Sequence, residues 1–103
     1  MIQPEKVEAI GNEIAIRWQD GKESFYPMEL LRALSPSAEN RGETDLLGRV
    51  FGGTDQTEFP GVTVTRWQGV GGYALQFVFS DGHQTGLYSY DYLREIWAKI
   101  QKP

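Results

Sequence analysis

The sequence predicts a small α+β domain: a mainly antiparallel, twisted β-sheet with two main helices, the C-terminal one packing on the sheet. Three observations predict it. Apolar and polar residues alternate in several short segments, the period-two signature of half-buried strands. Asp20-Gly21 and Asp81-Gly82 sit between such segments as hairpin signals, and two further stretches switch to helical spacing. At 103 residues the chain is expected to be a single domain, residues 1–103, with no room for a second.

Taken in order, Val7 to Ile10 leads into a Gly11-Asn12 turn, after which Ile14, Ile16 and Trp18 alternate with Ala15, Arg17 and Gln19. Asp20-Gly21 suits a type I′ turn, because Asp tolerates and Gly prefers positive φ, and Glu23 to Tyr26 is then the returning strand. Pro27 fits the start of a helix, and Leu30, Leu31 and Leu34 share one face of a short helix from about Pro27 to Leu34. A long irregular loop follows at about 35–61, broken by Pro36, Gly42, Gly48, Gly52, Gly53, Pro60 and Gly61. Within it, Leu46, Leu47, Val50 and Phe51 are spaced as one or two amphipathic helical turns. Two central strands are expected from the alternation of Val62 and Val64 with Thr63, Thr65 and Trp67, and of Tyr73, Leu75, Phe77 and Phe79 with Ala74, Gln76 and Val78. Asp81-Gly82 turns the chain, Thr85 to Tyr88 returns, and Ser89 caps a helix on which Leu93, Ile96, Trp97 and Ile100 form one stripe.

These segments align as a repeat. Asp20-Gly21 matches Asp81-Gly82, and Tyr26-x-x-Glu29-x-Leu31-Arg32 matches Tyr88-x-x-Asp91-x-Leu93-Arg94. The unit is a hairpin followed by a helix, and two copies in so short a chain make a pseudo-symmetric domain rather than a solenoid.

Composition excludes whole classes of chemistry. Zero cysteines remove disulfides, thiolate zinc sites, cysteine-ligated clusters and cysteine nucleophiles, and a single histidine, His83, cannot supply a multi-histidine metal centre. A net charge of -4 has the wrong sign for phosphate backbones, so no nucleic-acid partner is expected. The absence of a spanning apolar run and of a signal-peptide pattern argues for no membrane partner and a cytoplasmic location. No phosphate loop, dinucleotide fingerprint or nucleophile elbow is written in the glycines.

Asp81 and His83 flank a turn, where they either orient an imidazole for acid–base or metal chemistry or serve only the hairpin. Ser35, Ser37 and His83 offer a hydroxyl and a base, yet their spacing specifies no oxyanion hole. Glu39, Glu43, Asp45, Asp55 and Glu58 make the loop acidic without the ladder of an EF-hand. Trp67 falls on the strand face opposite Val62 and Val64, which makes it either an exposed anchor for a partner or the centre of a second small core.

With its residues laid out in this way, the chain resembles the gamma-butyrobetaine hydroxylase-like N-terminal domain family, small domains without an established activity of their own. The resemblance is carried by Val70-Gly71-Gly72-Tyr73-Ala74, by Phe79-Ser80-Asp81-Gly82-His83-Gln84-Thr85-Gly86-Leu87-Tyr88-Ser89, and by the stretch from Leu31 to Glu39. In hydroxylase members a C-x-C-x-x-C run binds structural zinc together with the histidine of the D-G-H turn. Here those positions read Ser35, Ser37, Asn40 and His83, neutral donors that do not replace thiolates, so no tightly bound zinc and no other cofactor is expected. The resemblance implies a metal-free version in which these residues, beside Asp81, tie the loop to the hairpin by hydrogen bonds.

The family domain also occurs ahead of a 2-oxoglutarate- and iron-dependent dioxygenase domain, or joined to an iron–sulfur carrier NTPase. The chain carries neither companion's binding residues. The expected function is therefore a stand-alone noncatalytic accessory or protein-interaction domain, with an unidentified protein partner and scope for a homo-oligomer. The alternative is a small-ligand or metal-ion binding protein using His83 and the Ser35–Asn40 loop, accessory to such an oxygenase or carrier.

Overall fold

The computed structural model of the chain describes residues 2–36, 59–84 and 86–101. Among the described residues, six strands and two helices follow in the order β1 (Pro4–Ile10), β2 (Glu13–Trp18), β3 (Glu23–Pro27), α1 (Met28–Ala33), β4 (Val64–Val70), β5 (Ala74–Phe79), β6 (Leu87–Ser89) and α2 (Tyr90–Gln101). All pairings are antiparallel, as the alternation predicts, and the strands divide into two three-stranded sheets, β1-β2-β3 and β4-β5-β6. Each repeat thus carries its own sheet and its own helix. The amphipathic turns expected around Leu46 to Phe51 lie outside the described residues.

The repeat is written in backbone hydrogen bonds. In the first unit Trp18 N donates to Lys22 O at 2.8 Å and Gly21 N to Trp18 O at 2.9 Å; in the second, Phe79 N donates to His83 O and Gly82 N to Phe79 O, both at 2.9 Å. The Asp20 and Asp81 carboxylates each accept from the backbone N–H two residues on, Lys22 and His83, at 3.1 Å. Helix entry also repeats, with Met28 N on Asn12 O at 2.8 Å and Tyr90 N on Tyr73 O at 2.9 Å. The hairpins depart in detail from the type I′ expectation. The Gly21-to-Trp18 bond centres the turn on Gln19-Asp20, and Gly21, at φ 88°, takes the left-handed position that follows it. The aspartate's bond to the next amide but one favours this longer turn.

Between the units the contacts are reciprocal. Tyr26 of the first repeat donates its hydroxyl to Leu93 O of α2 at 2.8 Å, and Tyr88 of the second donates to Leu31 O of α1. Arg94 of α2 reaches Asp20 in the first hairpin, and Arg32 of α1 reaches Asp81 in the second, each at 2.9 Å. Each helix therefore docks on the other unit's hairpin, the pattern an approximate two-fold produces.

One core lies between the sheets and helices. Ile14, Ile16, Trp18, Tyr26, Leu31, Leu34, Phe77, Tyr88, Tyr92, Leu93 and Ile96 are all buried within it. Helix α1 is short because Pro27 remains extended before it (ψ 134°) and Pro36 follows soon after, where it disfavours further helix. Its last carbonyls are satisfied by tyrosines, with the Tyr92 hydroxyl donating to Leu34 O at 2.7 Å beside the Tyr88 bond to Leu31 O. Ser89 caps α2 as expected, accepting from Tyr92 N at 3.0 Å.

Trp67 does not lie where the simple alternation places it. A bulge between Val64 and Arg66 shifts the register of β4, so Trp67 pairs with buried Phe77 and turns towards the core, where it is half-buried. Trp67 is thus neither fully exposed nor the centre of a separate small core, but packs partly buried against the main one.

Candidate functional site

The sequence-selected residues converge at the second hairpin. The β5–β6 turn presents His83, and the chain leaving α1 brings Ser35 to it, so that Ser35 Oγ and His83 Nε2 share a hydrogen bond of 2.7 Å. Its direction follows the imidazole tautomer. Asp81 is engaged through both oxygens: Oδ1 accepts from His83 N at 3.1 Å and Oδ2 from Arg32 Nε at 2.9 Å. The Arg32 guanidinium also lies over the Phe59 ring, 4.2 Å from its centre, and the His83 ring tilts against Phe79 at 6.0 Å. Ser37 and Asn40 lie outside the described residues.

Close approach of the loop depends on Gly86. A Cβ there would run into Ser35 Oγ and stand 2.9 Å from the Pro36 carbonyl oxygen. In the first repeat the corresponding residue is Ser24, fully buried, whose hydroxyl accepts from Trp18 Nε1 and donates to the Tyr26 hydroxyl, both at 2.9 Å. The second repeat omits that side chain and fills the place with Ser35 from the other unit. Burial holds the Tyr88 phenol above its ordinary value, opposed by a hydrogen bond from Ser35, just as Ser24 opposes burial at Tyr26.

Electrostatics follow from these contacts. Desolvation, then the Arg32 charge, holds the His83 imidazole below its ordinary value, against the opposing pull of Asp81. The His83 amide and the Arg32 side chain hold the Asp81 carboxyl low, against the desolvation that raises it. For a histidine whose folded value is depressed, the unfolded chain takes up its proton first, so stability falls as pH drops through the ordinary histidine value near 6.5. Melting curves between about pH 7.5 and 5.5 should show a decline that His83→Gln removes; the Asp81 contribution persists until far more acid pH. An unchanged slope in the variant would show that another group governs this window.

The donors do not fit the zinc site that the resemblance implies. A neutral hydroxyl stands where a thiolate is required, and it is bonded to the imidazole that would be the other ligand. Among the described residues no group of three or more His, Asp or Glu side chains is suited to holding a metal, and the chain has no cysteine. Arg32, Phe59 and Gly86 are members that residue chemistry did not single out. The repeat places Arg32 and Arg94 at equivalent positions, but does not specify the aspartate that each one binds.

Two hairpin–helix units around one core, with a histidine turn clasped by the chain that leaves the first helix, define a small two-repeat α+β domain. The chain belongs to the gamma-butyrobetaine hydroxylase-like, N-terminal family, whose model matches residues 5–94. It is similar to the crystal structure of a protein of unknown function of the DUF971 family from Acidithiobacillus ferrooxidans ATCC 23270. That pair is 30% identical over 93% of both chains, with a TM-score of 0.69. Two structures solved by solution NMR are also similar: one with TM-score 0.76 and 27% identity over 97% of this chain and 72% of the other, one with TM-score 0.65 and 28% identity over 98% and 77%. No curated protein matches the chain.

Proposed function

We propose that the chain is a noncatalytic accessory domain that acts through contacts with a protein partner. One observation carries this reading: the groups best suited to chemistry are spent on one another. His83 Nε2 is bonded to Ser35, and both Asp81 oxygens are occupied by the turn and by Arg32. A general base or metal ligand presents a lone pair to substrate or ion, whereas here Nε2 and both carboxylate oxygens are engaged within the cluster. Its work is to pin the chain after α1 to the second hairpin. The partner class that the family resemblance favours is an iron-dependent oxygenase or an iron–sulfur carrier.

The first test follows the His83 imidazole by NMR during titration with zinc and iron(II), alongside metal analysis of protein purified without chelators. A silent imidazole in metal-free protein is expected. A stoichiometric shift at low micromolar metal would make metal binding the leading function. The interaction itself is tested by affinity capture from native extract with free domain as competitor: a partner displaced saturably is the expected result, and no competable partner overturns the reading.

A further inference from the structure

The approximate two-fold gives the His83 cluster a twin in the other half of the molecule, and the twin is open. Lys22 holds the turn position of His83, Asp20 that of Asp81 and Arg94 that of Arg32. Ser35 and Trp97 are each the third residue beyond the arginine of their helix. In the first unit the helix ends and the chain drops onto the hairpin. In the second, α2 continues to Gln101, holding its backbone away from the turn. What remains is a cavity of about 460 Å³ lined by Trp18, Lys22, Glu23, Arg94, Trp97 and Ala98, with Gln101 at its edge. That volume lies in the range of small-molecule sites.

The walls define a ligand chemistry. Trp97 is fixed by an edge contact with Phe25 at 6.0 Å and a tilted one with Tyr26 at 6.3 Å, so its ring is a preformed flat surface. Arg94 is anchored through Nη2 to Asp20 and lies 5.1 Å from the centre of the Trp18 ring, while its Nη1 is buried without a hydrogen-bond partner among the described residues. Glu23 is paired with Arg17 at 3.3 Å. Lys22 lies in the field of Asp20 but makes no ion pair among the described residues. The lining thus holds two cations, Lys22 and Arg94, and one carboxylate, Glu23, a local surplus of positive charge in a chain of net charge -4.

We propose that this cavity binds a small organic anion, with a carboxylate held by Lys22 in the field of the Arg94 guanidinium and a flat apolar body laid against the Trp97 ring. The inference is independent of the accessory-domain reading and uses no residue of the His83 cluster. Its test is a titration of the full, ¹⁵N-labelled chain with 2-naphthoate, followed at the Trp97 indole N–H and the Lys22 and Arg94 signals. Saturable shifts below about 1 mM ligand are expected. Lys22→Gln, which leaves the turn's backbone bond to Asp20 in place, should weaken binding about tenfold, as should the neutral isostere 2-naphthamide. His83→Gln should leave it unchanged. A third arm uses N-acetyl-Ala-Phe: tighter binding than naphthoate assigns the site to the carboxyl terminus of a peptide, weaker binding to a free acid, and either supports the site. Equal response to the amide, insensitivity to Lys22→Gln, or no saturable shift overturns the proposal.

Discussion

Tyr26→Phe is expected to destabilise the domain by about 2–3 kcal/mol, a fall in Tm on the order of 10 °C for a chain of this size. The hydroxyl lies at the end of a buried relay, in which Trp18 Nε1 donates to Ser24 Oγ, Ser24 Oγ to Tyr26 Oη, and Tyr26 Oη to Leu93 O. Ser24 and Tyr26 are fully buried. Phenylalanine preserves the packing but strands the serine proton and removes the bond from Tyr26 to the helix carbonyl, at fully buried positions. The expected loss therefore exceeds that of an exposed tyrosine. Tyr88→Phe removes only the bond to Leu31 O and the contact with Ser35, and about 1–2 kcal/mol is expected there. Thermal and urea unfolding of both variants checks the order. If Tyr26→Phe costs no more than Tyr88→Phe, the relay adds nothing beyond its last bond. A Ser24→Ala, Tyr26→Phe cycle then isolates the coupling, which should be large because the two hydroxyls share one proton path.

Much of this fold was legible in the sequence because the signals were local. Alternation places Ile14, Ile16 and Trp18 inside, and the Asp-Gly pairs mark both reversals, since each depends on a few adjacent residues. The repeat was legible too, but not what it does. That Arg32 binds Asp81 while Arg94 binds Asp20 depends on how the two units face each other, and alignment of the units contains no information on their mutual orientation. Trp67 was misplaced for a related reason: a bulge adds one residue without any composition signal and inverts the face of everything beyond it.

For the site, residue types predicted the pairing of Ser35 with His83 only through the family resemblance; spacing alone left a hydroxyl and an imidazole forty-eight positions apart. At the turn where the resemblance implies a metal ligand, the structure shows several weaker contacts. The hydroxyl–imidazole bond, the arginine–carboxylate bridge and the ring of Phe59 beneath Arg32 together tie the loop's two ends to one hairpin. Each contact is individually modest and partly exposed, so the arrangement responds to pH and to small steric changes.

Gly86→Ala is the steric case with the largest expected effect. The added methyl group meets Ser35 Oγ and the Pro36 carbonyl oxygen, the latter at 2.9 Å, so the chain leaving α1 must move away from β6. Overpacking of this kind costs about 1–3 kcal/mol, and here the displacement also breaks the bond between Ser35 and His83. The imidazole, no longer desolvated, should titrate closer to its ordinary value, which reverses the depression and flattens the acid-side loss of stability. Unfolding curves and the pH titration of the His83 ring protons read the two effects separately. Ser35→Ala in the same chain relieves the hydroxyl contact but not the carbonyl one, so it should restore part of the stability and none of the titration shift. An alanine at position 86 that leaves both stability and titration unchanged would mean that the loop does not rest on this hairpin in solution.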